Sequence, residues 1–200
     1  MKAASEFKDK ITAINQQWQT DFTYLKMIGW GWIYLSTILD DFLRYVIASR
    51  FCPGMISRDV TESLNLALQA SGCDQAKVGQ KPRLLSDNGS SYVSCELADW
   101  LSDNGMSHVR GAPHHPKTQG KIERWHQTLK NPTLLLPGDL EQQIEAFVDH
   151  YIHQRYHESM DNLTPAEVYF GRGESTLRNR KRIKRNALAE RRLHYQRHTA

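Results

Sequence analysis

Two hundred residues and 23.1 kDa, 40% hydrophobic and 24% charged, make room for one globular domain with an appendage and exclude a disordered chain. The formal charge of +4 is unevenly placed: residues 171–200 carry ten Lys and Arg against two Glu, leaving −4 on residues 1–170. A basic tail on a mildly acidic body points to a polyanionic partner, above all nucleic acid.

No segment reads as membrane-spanning. The longest apolar-rich run, Met27 to Leu39, is interrupted by glycines, Ser36 and Thr37 and ends on Asp40 and Asp41. The opening MKAASEFKDK has no apolar signal core, and Cys52, Cys73 and Cys95 lie far apart with no CxxC. Reduced thiols and a cytoplasmic, nucleoid-associated location are expected.

In chain order, residues 17–26, 30–39 and 44–51 are rich in β-branched and aromatic types and predict three strands with short antiparallel connections. Residues 59–71 place Val60, Leu64, Ala67 and Leu68 at helical spacing, with Asp59 and Glu62 as a capping-box start and Gly72 as the stop. A short buried strand, 83–86, runs into the turn Asp87-Asn88-Gly89. A helix over 94–104, a strand over 107–110 and a loop over 111–118 follow. Helices are then predicted over 119–130, closed by Asn131-Pro132, and over 139–156. A short helix opens at Thr164-Pro165, with Thr164 as N-cap. The order is that of an α/β fold, a mixed five-stranded sheet with helices on its faces. The chain divides into a lead-in (1–14), a core (15–170) and a basic helical tail (171–200).

Three carboxylates stand out by position. Asp21 interrupts an otherwise apolar strand, where Asp is depleted and costly to bury unpaired. Asp87 follows the C-terminal end of a strand, where α/β proteins place ligands. Glu123 lies one turn into the helix after the loop. Asp87 alone reads as a turn aspartate and Glu123 alone as a solvated helix residue. With the first and fourth strands adjacent, however, the three could meet in one cleft. Converging anions need a counter-charge, and oxygen-only ligands select Mg²⁺ or Mn²⁺. Two such ions suit phosphoryl transfer.

The segments WQTDFTYLK, YLSTILDDFLRYVI, LLSDNGSSYVS and HHPKTQGKIERWHQTLK resemble the catalytic core of bacterial insertion-sequence DDE transposases, the group related to retroviral integrase. Asp21, Asp87 and Glu123 match the three acids, with 35 residues between the last two, and Lys130 matches the basic residue seven positions on. The resemblance spans about residues 15–175. It implies a ribonuclease-H-like fold and DNA strand cleavage and transfer with two Mg²⁺ or Mn²⁺ ions held by the three acids. It also implies a homo-oligomer acting on element ends and target DNA. The family's N-terminal helix-turn-helix region has no counterpart here, so a truncated chain served by a separately encoded helix-turn-helix subunit is expected.

Expected DNA contacts are Lys130, Gln119, Lys117 and Lys121 beside the acids, and Arg180, Lys181, Arg182, Lys184 and Arg185 in the tail. Trp30, Trp32, Trp100 and Trp125 are expected in packing rather than base-stacking, with Trp125 the best candidate among them for a DNA contact. Asp40 and Asp41 read as structural, and His126 as a surface residue. His108 with His114 and His115, and His150, His153 and His157, lack the ligand spacing or setting for zinc. The rival readings are a catalytically idle DNA-binding or regulatory fragment and a ribonuclease-H-like nuclease.

Overall fold

The computed structural model describes residues 11–27, 31–77, 80–111, 119–133 and 140–199. The chain divides into two compact units between His150 and Tyr151.

The first unit is built on five strands: β1 Gln17–Met27, β2 Gly31–Asp40, β3 Val46–Cys52, β4 Arg83–Ser86 and β5 His108–Arg110. Their spatial order is β3-β2-β1-β4-β5. The β1–β2 and β2–β3 pairs are antiparallel, and β1–β4 and β4–β5 are parallel. This is the expected mixed sheet, with β1 at its centre. β3 starts two residues later than expected because Arg44 takes a left-handed φ of 59°. The turn feeding it is fastened by Asp40, whose carboxylate accepts from the Leu43 N–H and whose carbonyl accepts from the Arg44 N–H.

Helices α1 Ser57–Ser71 and α2 Cys95–Asp103 pack on one face of the sheet. Val60, Leu64, Ala67 and Leu68 of α1 and Leu97 and Leu101 of α2 close a core over Trp18, Ile38, Ile47 and Leu84. Burying each such side chain contributes about 1.5–3 kcal/mol. Gly72, at φ 70°, stops α1 as expected. The start of α1 differs. Ile56 holds the N-cap position, and Asp59 is the N3 residue, its carboxylate accepting from the Ile56 N–H. The capping box thus sits three residues earlier than expected, with Asp59 as its acid, and Arg50 of β3 pairs with Asp59 and Glu62.

Helix α3, Gly120–Thr133, packs on β1. Alternation along β1 turns Trp18 and Phe22 toward the α1–α2 core and Gln19 and Asp21 toward α3. α3 runs past the expected stop at Lys130 to include Asn131-Pro132; in a final turn a proline removes only one backbone bond. α4, Leu140–His153, brings Phe147 against Trp125, with ring centroids 5.7 Å apart.

α4 ends three residues before the expected position. Beyond it, in the second unit, His157 bridges to Leu163 in extended geometry. Asp161 and Asn162 make the turn at φ 54° and 56°, a conformation these residue types tolerate. His150, His153 and His157 therefore do not share one helix. α5, Pro165–Tyr169, has the expected cap. Thr164 accepts from the Glu167 N–H, and Glu167 accepts from the Thr164 N–H. α6, Gly173–Thr199, is the basic tail, one continuous 27-residue helix. Gly173 permits its close approach to α5, since a Cβ there would stand 2.8 Å from Leu163 Cδ1. No helix among the described residues is long and apolar enough to cross a membrane.

Candidate active site

The parallel β1–β4 register places the first two acids. Gln17, Trp18 and Gln19 lie level with Arg83, Leu84 and Leu85. The same offset, continued past the end of β4, sets Asp21 level with Asp87. Asp87 directly follows the C-terminal end of β4, and Asp21 lies mid-way along β1. Asp87 feels the arrangement: partial burial pushes its carboxyl above the ordinary aspartate value, the charge of Asp21 adds to that, and the Gly89 N–H works against it.

The loop after β4 is shaped around Asp87. The Gly89 N–H donates to Asp87 Oδ1 at 2.9 Å, and Asn88 Nδ2 donates to the Gly111 carbonyl at 2.7 Å. A Cβ at Gly89 would meet Asp87 Oδ1 at 3.1 Å. Gly89 is thus needed for close approach to the carboxylate, not for the positive φ that its turn position suggests. Beneath the loop, Ser86 Oγ and His108 Nε2 are 2.8 Å apart. Burial and the neighbouring Arg110 lower the His108 pKa to about 4, so it is a neutral hydrogen-bonding partner at physiological pH. Tyr92, buried under both acids, has its hydroxyl pushed well above the ordinary value, by burial first and then by the charge of Asp21. Its ring lies 6.0 Å from that of Phe22.

Helix α3 brings the other side of the site. His126, 6% exposed, puts Nδ1 3.5 Å from Asp21 Oδ2. The expected surface position for His126 is therefore corrected: it is a buried partner of the first acid. The Phe22 N–H also donates to Asp21 Oδ1 at 2.8 Å. Glu123, one turn before His126, is solvent-exposed. The charge of Asp21 reaches Asp87, while Glu123 stands exposed in the first turn of α3. Among the described residues no group of three or more His, Cys, Asp or Glu side chains is close enough to hold a metal ion. The donor set around Asp21 and Asp87 is nevertheless carboxylate oxygen, and two like charges raising each other's cost suit a divalent cation.

The expected DNA contacts have varied fates. Lys121 Nζ is 2.7 Å from Asp41 Oδ1 and also donates to the Asp41 carbonyl, so this cation is spent inside the protein. Gln119 is 9% exposed and bonds the Thr20 carbonyl at 3.5 Å, which makes it a packing residue of the α3 start. Lys130 stands over the Tyr24 ring, Nζ 4.3 Å from its centroid. Lys117, with His114 and His115, lies outside the described residues. On α6, Arg180 donates to the Asn162 carbonyl at 2.8 Å and stacks on Tyr156, while Arg182 bonds Asn179. Lys181, Lys184 and Arg185 are exposed. Trp125 is 1% exposed and so is no DNA contact, whereas Trp32, expected in the core, is 54% exposed. Trp30 lies outside the described residues.

Sequence reasoning also missed the device that seats α3. Asp41, 7% exposed, accepts from Gln17 Nε2 at 2.7 Å, Gln19 Nε2 at 2.8 Å and Lys121 Nζ. Gln19 in turn accepts from the Ile122 N–H at 3.1 Å, and Gln17 from Arg83 at 2.9 Å. One buried carboxylate thus joins the starts of β1, β4 and α3. The alternation of Gln17 and Gln19 in a strand is the signal that could have exposed it.

A family model described as the integrase core domain matches residues 12–116, and a second of the same description matches residues 104–165. The chain belongs to the integrase core domain family. Its relatives include the Gag-Pro-Pol polyprotein of squirrel monkey retrovirus, 30% identical over 117 residues, 58% of this chain and 6% of the polyprotein. That of mouse mammary tumor virus (strain BR6) is 27% identical over 161 residues, 77% of this chain and 8% of the polyprotein. This integrase core thus corresponds to a small part of those polyproteins. Among solved structures, the catalytic core domain of BIV integrase superposes with a TM-score of 0.61 at 18% identity, covering 82% of this chain and 99% of that one. The HTLV-2 integrase catalytic core domain, in complex with magnesium, gives 0.58 at 20%, covering 78% and 96%. A simian T-cell lymphotropic virus intasome chain gives 0.66 at 20%, covering 78% and 54%. These likenesses establish the ribonuclease-H-like integrase fold.

Proposed function

We propose that this integrase core is a polynucleotidyl transferase that cuts and joins DNA strands, with Asp21, Asp87 and Glu123 as its acids. The observation that supports the reading is the parallel β1–β4 pairing, with Gln19 level with Leu85, together with the charge of Asp21 acting on Asp87. Asp21 and Asp87 would hold a divalent ion, Mg²⁺ or Mn²⁺, and Glu123 would join them when DNA closes the cleft. Such an ion supplies activation of the attacking oxygen and neutralisation of charge at phosphorus.

The protein's own groups have separable tasks. His126 holds Asp21 from behind, and the Gly89 N–H orients Asp87. Lys130 and the exposed cations of α6 would take DNA phosphates, giving salt-dependent binding. The motif settings quoted from the sequence favour an insertion-sequence transposase, working as a homo-oligomer on paired element ends. A cytoplasmic, nucleoid-associated chain, a second ion, and an end-recognising helix-turn-helix subunit belong to the same proposal.

The test is strand transfer with pre-cleaved, labelled DNA ends in Mn²⁺. Wild type should join ends to target, and Asp87→Asn should not; equal product from both would remove the enzyme reading. The exposed, separate position of Glu123 favours a second reading, a regulatory DNA-binding fragment without catalysis. It predicts DNA binding by the wild type with no joined product at any metal concentration.

A further inference from the structure

At the far end of the β1–β2 hairpin the sheet carries a cluster that the strand-transfer reading does not use. Tyr24 is 53% exposed and Trp32 54% exposed. Their rings meet edge to face with centroids 5.2 Å apart. Each ring is attended by a lysine: Lys130 Nζ lies 4.3 Å from the Tyr24 centroid, and Lys26 Nζ 5.7 Å from that of Trp32. Lys26 and Trp32 are register partners across the two strands, and Tyr24 faces Tyr34. Leaving two large aromatic rings in water forgoes the burial that a folded sheet normally gains from them.

We infer that Tyr24, Trp32, Lys26 and Lys130 form a stacking platform for unpaired bases of a DNA end. Aromatic faces accept any base, and cations spaced between them take the phosphates of the same strand, which is how proteins hold single-stranded nucleic acid. The two lysines supply charge complementarity to an anionic strand, not to an apolar partner. Position supplies the rest. Lys130 ties the platform to α3, the helix that also brings His126 to Asp21. As a phosphate draws each ammonium from its ring, the ring face is released to a base. The inference rests on the strand-transferase reading for which DNA end is meant, and it adds a preference for frayed or recessed ends over flush ones.

The test uses the whole 200-residue chain in EDTA, so that binding is read apart from catalysis. Fluorescence anisotropy compares three labelled duplexes: blunt, with a three-nucleotide single-stranded extension, and with the same extension made abasic. The extension should tighten binding about tenfold, and abasic sites should erase that gain without changing the charge. Trp32→Ala and Tyr24→Ala should each erase most of the gain while leaving blunt-duplex affinity within about twofold, and Trp32→Phe should restore it. Equal affinity for the normal and abasic extensions overturns the inference with unaltered protein, even where a variant fails to fold. So does a Trp32→Ala variant that loses self-association by sedimentation while keeping the extension preference, since a second copy would then be the occupant. A chain that prefers the extension but joins no DNA keeps the platform and loses the enzyme; one that joins DNA without the preference does the reverse.

Discussion

Two pairs of aspartates share the central strands, and they are treated in opposite ways. Asp40 and Asp41, at the end of β2, are 0% and 7% exposed. Asp40 accepts from the Asn15 and Leu43 N–H groups, and Asp41 from two glutamine amides and a lysine. Asp21 and Asp87 are the more exposed pair, Asp21 held by the Phe22 N–H and His126 and Asp87 by the Gly89 N–H. A carboxylate that serves the fold is enclosed, with donors that offset part of its desolvation. A carboxylate open to solvent, beside another of its kind, keeps lone pairs free for something from outside, which is what the proposed site requires.

If the contrast is right, the two pairs fail differently. Asp21→Asn and Asp87→Asn should each lower strand transfer about a thousandfold, about 4 kcal/mol, with circular dichroism and thermal midpoint nearly unchanged. Asp41→Ala should act on the fold: it strands two buried glutamine amides and removes the partner of the half-buried Lys121, so a loss of about 3 kcal/mol is expected in urea unfolding. An Asp41→Ala protein as stable as wild type would show that the network does not seat α3.

A smaller effect is expected in the tail. Removing residues 171–200 should flatten the slope of log K against log salt for DNA, since fewer phosphates are neutralised. An unchanged slope would take Lys181, Lys184 and Arg185 out of the interface. The smallest effect carries a sign. Because the Asp87 pKa is raised in the folded chain, its anion costs stability above the ordinary aspartate pKa, and that cost disappears as pH falls below it. Without metal, Asp87→Asn should therefore be more stable than wild type at pH 7 by a few tenths of a kcal/mol, given its solvent screening. The two should converge near pH 3.

Much of this was legible in the residues. The order of strands along the chain and the Thr164–Glu167 cap follow from alternation and capping chemistry, which are local, and motif spacing singles out the three acids of the proposed site. What was not legible is where a helix turns its faces once packed. Trp125 and His126 are adjacent on α3, and no periodicity says that one fills the core against Phe147 while the other meets Asp21. Trp32 was expected inside because tryptophan is mostly buried; it is 54% exposed, against Tyr24 and Lys26. Asp59 was expected as an N-cap, but α1 begins two residues earlier, at Ser57, and makes Asp59 the N3 acid of the capping box. Lys121 read as a surface cation until Asp41, eighty residues away, claimed it.

The most direct test is Mn²⁺ binding followed by electron paramagnetic resonance on the DNA-free chain and on a DNA-bound sample. Wild type should take up Mn²⁺, more tightly with DNA. Asp21→Asn and Asp87→Asn should each abolish uptake, whereas Asp74→Asn, on an exposed residue of the same unit, should leave it intact. Uptake that survives both substitutions at positions 21 and 87 would contradict the claim that these two side chains share an ion.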